Sequence, residues 1–374
     1  MKIMKILLLG GGLQCLSFGE SLFKCNGYEL SVVSDEYDIR RCRFFKKVYA
    51  VHHLGYETIL KEILSKEHYD VIVPMGDIPV KFLSRHKEAI ERDYHVRCSV
   101  VNEDTLSIVA DKSRFMEFCK DNGFPHPRTA AISEGSLDSV AREVGFPSLI
   151  KPDFSMGARG ITQVNSIEEL KTQYPQIHQK YGSCTLQEFI DNPDYYYNVM
   201  LYRDSKGNCY NSVVIKIVRM YPIKAGSSCC CVSVENQELV DVCKKVLDIL
   251  NWRGMADFDV LQRKDTMEYK IIEINPRVPA SLRAAYISGV NYPKIIAADE
   301  MNQQIVPQDY SPGKIMRYMG LDLMWFLKSP QRFSTSPSWF KFMGKKIYYQ
   351  DIILSDFSTW YSWLITGLMK LLKR

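Results

Sequence analysis

Short, unbroken apolar runs recur through the first hundred residues, each closed by a turn and most followed by a helical pattern. Ile6-Leu7-Leu8-Leu9 ends at Gly10-Gly11-Gly12, and the run over 28–33 ends at Ser34-Asp35. A third run covers 48–51, and Val71-Ile72-Val73-Pro74 ends at Met75-Gly76-Asp77. Runs of this length without polar alternation fit strands covered on both faces. Their alternation with helical stretches predicts an α/β unit with a doubly wound parallel sheet, assigned to residues 1–107. The glycine turn misses the dinucleotide fingerprint, because Cys15 stands where the third glycine belongs. It reads as a turn or a loop facing a substrate.

From about residue 108 the pattern changes. Asp111-Lys112-Ser113 opens a helix over 114–122, which stops at Gly123 and exits through Pro125 and Pro127. A strand over 148–151 ends in Lys151, and Ser155-Met156-Gly157-Ala158-Arg159-Gly160 follows. Small residues let backbone N–H groups approach phosphate oxygens, and Arg159 adds charge. This is not a Walker loop: Gly-Lys-Ser/Thr is missing, and a strand start at Ile161 replaces the required helix. Thr185 to Ile190 reads as a strand entering the loop Asp191-Asn192-Pro193, a step able to offer a carbonyl and an N–H to an adenine edge. Glu273-Ile274-Asn275-Pro276-Arg277 closes a strand over 269–272. Alternate positions share a face, so a carboxylate, an amide oxygen and a guanidinium lie together. Asp257-Phe258-Asp259 repeats the alternation on the preceding strand, across a turn at 263–266. A few hard oxygen donors suit Mg²⁺ held jointly by protein and phosphates; the plain alternative is an ion-paired polar face.

Composition narrows the class. With 374 residues, 46% hydrophobic and 24% charged, the chain is neither disordered nor collagen-like. The net charge of +5 is concentrated: residues 311–374 carry ten Lys/Arg against three Asp/Glu. The body is therefore neutral to slightly acidic, and no nucleic acid partner is expected. Eleven scattered cysteines contain no C-x-x-C pair, so structural zinc is not expected and a reduced, cytoplasmic setting is. Cys229-Cys230-Cys231 has no neighbouring base and reads as packing. No secretory leader and no spanning run of about 20 apolar residues is expected. Four of the five Trp lie in residues 311–374. Residues 357–374 read as a basic, Trp-bearing helix that can lie on the inner membrane surface or pack on the protein or the second subunit of a homodimer.

Taken in this order, these pieces resemble the ATP-grasp superfamily, in its carbamoyl-phosphate-synthase-like group. That group includes carboxylate–amine ligases of biosynthetic and surface-polysaccharide gene clusters. The resemblance covers roughly 108–300. It implies a two-lobed α+β ATP-grasp domain over 108–310, with lobes at about 108–185 and 186–310. A Rossmann-like domain over 1–107 precedes it and a basic, aromatic-rich extension over 311–374 follows.

The resemblance also implies ATP with one or two Mg²⁺, and ADP-forming ligation of a small-molecule carboxylate to an amine through an acyl phosphate. A carboxyphosphate-forming or kinase-like enzyme, or a nucleotide-binding regulatory protein, would share the same ATP site. Lys112 and Lys151 correspond to the lysines that contact phosphates. Ser155, Met156, Gly157, Ala158, Arg159 and Gly160 correspond to the closing loop. Gln187, Glu188, Phe189 and Ile190 correspond to the adenine hinge, with the Glu188 carbonyl and the Ile190 N–H facing the base. Asp194 stands where a longer ribose-binding acid is usual. Asp257, Glu273 and Asn275 correspond to Mg²⁺ ligands, with Asp259 a rival first ligand, and Arg277 to the arginine that steadies the acyl phosphate. Arg219 and Lys224 fall where relatives carry basic residues that touch phosphate or substrate. Arg283, on the stretch after Arg277, is placed near the acceptor.

Overall fold

Three sheets carry the strands in the computed structural model, which describes residues 3–51, 55–133, 135–153, 160–223, 226–352 and 361. The first holds β1 (Met4–Leu9), β2 (Tyr28–Val33), β3 (Lys47–Tyr49), β4 (Val71–Pro74) and β5 (Arg97–Cys98). All are parallel, in the order β3-β2-β1-β4-β5. Leu7, Leu9 and Ile72 enter one hydrophobic core, while Ile6, Leu8, Val71 and Val73 enter another. Burial on both faces is why these runs lack polar alternation. The strand order reverses between β1 and β4, so Gly10–Gly12 and Met75–Asp77 flank the switch point. The Gly12 N–H donates to Glu36 Oε2 at 2.8 Å, and a Cβ on Gly11 would lie 2.6 Å from that carboxylate. The glycine turn is thus filled by a side chain of the chain itself.

The second sheet is small and antiparallel: β6 (Thr129–Ile132), β7 (Ser148–Pro152), β8 (Thr162–Val164) and β9 (Cys184–Glu188), in the order β6-β9-β7-β8. Helices Leu137–Val144 and Ile167–Tyr181 close a separate core with Ile150, Val164 and Leu186.

The third sheet holds β10 (Tyr196–Arg203), β11 (Cys209–Tyr221), β12 (Ser227–Val234), β13 (Gly254–Gln262), β14 (Tyr269–Asn275), β15 (Ile315–Arg317) and β16 (Ile347–Tyr349). Their order is β14-β13-β10-β11-β12-β15-β16. Helix Gln237–Ile249 packs on one face. Helices Leu282–Ile287 and Tyr292–Glu300 share the core of the other face with helix Gly12–Phe23 of the first unit. Cys229, Cys230 and Cys231 are buried on β12, and burial raises their thiols, Cys230 to about 12. They carry no reactive thiolate at neutral pH.

Residues beyond 311, which the sequence pattern sets apart as an extension, begin inside this sheet. β15 pairs antiparallel with β12, and β16 pairs parallel with β15. Helix Met319–Lys328 lies over β11 and β12. Asp322 fixes it there, accepting from Arg219 Nε at 2.7 Å, Arg219 Nη2 at 2.9 Å and Arg317 Nε at 2.7 Å. All three residues are at most 1% exposed. Arg219 Nη1 also donates to the Pro337 carbonyl, and Arg317 Nη1 to the Lys341 carbonyl. The proposed helix over 357–374 lies outside the described residues except for Tyr361. Among the described residues, no helix is long and apolar enough to cross a membrane.

Candidate nucleotide site

The Asp111 side chain caps helix Lys112–Asp121 by accepting from the Arg114 N–H at 3.1 Å, which sets Lys112 in the first turn. Lys151 ends the same strand as Ser148, and its ammonium is shifted down to about 8. Burial is the main cause, the like charge of Lys112 adds to it, and Glu273 opposes it. Lys112, Lys151 and Glu273 therefore share one site although they come from a helix and two different sheets. Lys151 Nζ donates to Gln187 Oε1, and Gln187 Nε2 donates to Thr129 Oγ1 at 2.9 Å. The Gln187 side chain thus orients the lysine rather than a base.

On the third sheet, Asp257 faces Asn275 and Asp259 faces Glu273. The register shifts between Asp259 and Val260. That irregularity lets both Ile271 and Ile274 enter the core although they are three apart. Asp257 and Asp259 are enclosed, and burial raises both carboxyls above the usual range. Glu273 adds to that rise and Arg277 opposes it. Asp259 accepts from Asn198 Nδ2. Asp257 Oδ1 is buried and has no hydrogen-bond donor among the described residues. Arg277 Nε donates to Asp77 Oδ1 at 2.6 Å, and its Nη2 to Asn275 Oδ1 at 3.2 Å. Burial would lower the guanidinium, but Asp77, Asp257 and Glu273 outweigh it and hold the group charged. A recess beside Arg277 is lined by Pro74, Ser99, Val101, Arg253, Met255 and Pro276. It lies where the carboxyl ends of β4 and β5 meet the start of β13 and the residues that follow β14.

The hinge candidates sit at the carboxyl end of β9, an inner strand of the second sheet. The Glu188 N–H donates to the Arg128 carbonyl at 2.8 Å, and the Phe189 N–H to the Pro147 carbonyl at 3.0 Å. The Glu188 carboxylate accepts from the Arg128 N–H at 3.1 Å, from its Nη2 at 3.3 Å and from Arg263. Burial would raise this carboxyl, but the two arginines lower it overall. Arg263 belongs to the turn between β13 and β14, and the next N–H, of Lys264, donates to the Asp191 carbonyl at 2.9 Å. The third sheet thus grips the hinge through that turn. Ile190 is buried, and Asp194 takes a left-handed conformation (φ 45°) with Oδ2 accepting from Gln331 Nε2 at 2.8 Å.

Not every candidate converges. Arg219 is committed to Asp322 and the Pro337 carbonyl. Arg283 is committed to Glu20, at 3.2 Å from Nη2, and to the carbonyls of Tyr349 and Ile352. Neither guanidinium is free to meet a substrate. Ser155, Met156, Gly157, Ala158, Arg159 and Lys224 lie outside the described residues. Gly160 has φ 76°, and a Cβ there would meet Tyr181 at 2.7 Å and Pro152 at 3.0 Å, so position 160 suits glycine. Sequence reading missed Asp77, Arg128, Arg263 and Gln331. Asp77 carried a weak signal, as the polar end of a strand at the switch point.

The donors available for a cation are few. Among the described residues no three Asp, Glu, His or Cys side chains converge as a metal cage. Asp257, Glu273 and the amide of Asn275 instead make a partial oxygen set, and the unpartnered Asp257 Oδ1 fits an ion that completes its shell with phosphate and water.

Residues 111–292 match the family model described as the carbamoyl-phosphate synthase L chain, ATP binding domain. The N-terminal section of the carbamoyl phosphate synthase large chain of Methanopyrus kandleri is 25% identical over 278 residues, covering 68% of this chain and 48% of that protein. D-aspartate ligase of Enterococcus faecium is 23% identical over 310 residues, covering 73% of this chain and 70% of that protein. Among solved structures, a Campylobacter jejuni biotin carboxylase complex with ATP superposes with a TM-score of 0.69 at 18% identity, over 84% of this chain and 74% of that one. That structural likeness concerns the fold. The chain spans about half the length, or less, of the carbamoyl phosphate synthase chains it matches.

Proposed function

We propose that the chain, whose residues 111–292 match an ATP-binding domain of carbamoyl-phosphate-synthase type, is an ATP-grasp enzyme and acts as an ATP-dependent, ADP-forming carboxylate–amine ligase. One observation carries the reading: Lys112 and Lys151 share a site with Glu273, while Asp257, Asn275 and Arg277 gather around the same carboxylate. Cations for phosphates thus face oxygens for a metal. In this reading residues 1–107 serve the acceptor and residues 108–310 the nucleotide.

The reaction has two steps. A carboxylate oxygen of the substrate attacks the γ-phosphorus of ATP, and ADP leaves. An amine nitrogen then attacks the acyl carbon, phosphate leaves, and the nitrogen gives up a proton. Lys112 and Lys151 supply positive charge to the phosphates, and contact with phosphate holds the Lys151 proton. Asp257, Glu273 and Asn275 would hold Mg²⁺, which when bound neutralises charge on the β- and γ-phosphates. Asp257 is the better first ligand, because Asp259 is already taken by Asn198. Arg277, braced by Asp77, presents fixed charge to the acyl phosphate. With its side chain held by Arg128 and Arg263, Glu188 has its backbone to offer to adenine together with Ile190. The loop over 155–160 would exclude water from the labile acyl phosphate. Arg219 and Arg283 have no part in the chemistry.

Product analysis tests this. With MgATP, a pool of carboxylates and a pool of amines, ADP and phosphate should form only when both pools are present. A folded Glu273→Ala variant should lose at least 100-fold of that turnover. AMP in place of ADP would overturn the acyl-phosphate route, and ADP formed from the carboxylate pool alone would favour a kinase-like enzyme.

A further inference from the structure

Exposed apolar side chains gather in residues 323–346. Leu327, Phe333 and Met343 are 60%, 72% and 89% exposed, and Leu323 and Phe340 are exposed as well. These positions are not scattered. Phe333 and Phe340 stack with ring centroids 6.2 Å apart, and both meet Phe326 edge-on at 5.7 and 5.6 Å. Phe326 in turn stacks on Trp339 at 4.1 Å, and Trp339 Nε1 donates to the Asp322 carbonyl at 3.1 Å. The platform is therefore anchored to the buried Arg219–Asp322–Arg317 group. Leu323 and Leu327 stand one turn apart on the helix that carries Phe326.

The rim is cationic. Arg332 lies over the Phe333 ring at 5.3 Å, and Lys328, Lys341, Lys345 and Lys346 are exposed. Residues 323–350 contain no Asp or Glu. A rigid apolar platform inside a one-sign rim needs an occupant that is anionic at its surface and apolar beneath. A second copy does not meet this, because two such faces would oppose one cationic rim with another. A nucleic acid meets only part of it: Phe333 and Phe340 offer rings to a base, but Leu323, Leu327 and Met343 offer none.

We propose that residues 323–346 form a docking face for an anionic lipid surface. The lysines meet headgroup phosphates, while Phe333, Phe340, Leu327 and Met343 enter the acyl boundary. This docking is independent of the ligase reading and involves no spanning element.

Co-sedimentation of the full chain with vesicles tests the face. Phosphatidylcholine vesicles containing 30% phosphatidylglycerol should bind it at least tenfold better than pure phosphatidylcholine, and 0.5 M NaCl should release it. Two variants, Phe333→Ser/Phe340→Ser and Lys341→Gln/Lys345→Gln/Lys346→Gln, should each weaken partitioning about tenfold. Unchanged circular dichroism and nucleotide binding would show that both remain folded. Absence of vesicle binding would overturn the proposal. So would equal binding by wild type and variants, which would place any membrane contact elsewhere in the chain. A sedimentation-velocity dimer lost in the variants would overturn it in favour of a second copy, and tighter binding to a single-stranded oligonucleotide than to the anionic vesicles, lost in the same variants, would do so in favour of nucleic acid.

Discussion

Lys151 shows how a single side chain sets a working range. Its ammonium is depressed from 10.5 to about 8 by burial, with Lys112 reinforcing the effect. Between those values the unfolded chain holds the proton and the empty folded protein does not, so this residue makes stability rise with pH over that interval. Nucleotide binding runs the other way, because the charge that phosphates need is being lost. Calorimetric titration should show ATP affinity falling as pH rises above about 8, approaching tenfold per pH unit. Lys151→Met should bind at least tenfold more weakly at pH 7 and should lack this pH dependence. A flat wild-type profile would remove Lys151 from the phosphate site. Lys112, Lys151, Glu273 and Asn275 were nameable as candidates from the family motifs they resemble. Their supports were not: Asp77 is 200 residues from Arg277, and Arg263 is 75 from Glu188. Arg219 misleads for the same reason, since its charge is visible on a strand but its partner Asp322 lies 103 residues on.

Between elements, the junction of β11, β15 and helix Met319–Lys328 rests on one carboxylate shared by two arginines. Desolvating three charges is costly, and the junction holds because nearly every donor is matched to an oxygen. Removing Asp322 would leave two enclosed cations without a counter-ion. Asp322→Ala should lower stability by about 3–5 kcal/mol, read as a fall in the urea midpoint at unchanged slope. An unshifted midpoint would mean that the helix is held by its apolar contacts alone. At this scale the alternation on β13 and β14 was readable, but the register shift after Asp259 was not. An extra residue puts the alternation out of phase, but Ile271 and Ile272 are both apolar and hide where the phase changes.

For the whole molecule, the parallel sheet was legible from its apolar runs, and the hairpin of β13 and β14 from its motif. β15 and β16 were hidden, since each is only three residues long and cannot display a period. Yet they cover the edge of β12, and Arg283 and Gln350 stitch that region to helix Gly12–Phe23 of the first unit. A chain ending at residue 310 should therefore not behave as a trimmed enzyme. It should expose an unpaired strand edge and aggregate, measurable as light scattering at concentrations where the full chain stays clear. A clear, monomeric 1–310 protein would show that β12 tolerates an open edge.

The order of strands also carries a consequence for synthesis. The strands of the parallel sheet all lie before residue 99, whereas the large sheet is not complete until residue 349 has left the ribosome. At roughly 5–20 residues per second, the nascent chain spends on the order of tens of seconds with the strands of its first sheet made and its largest sheet unfinished. The last strands made are those that cover β12, so a ribosome stalled late would hold a polypeptide with most of its nucleotide site already synthesised and its β12 edge still bare.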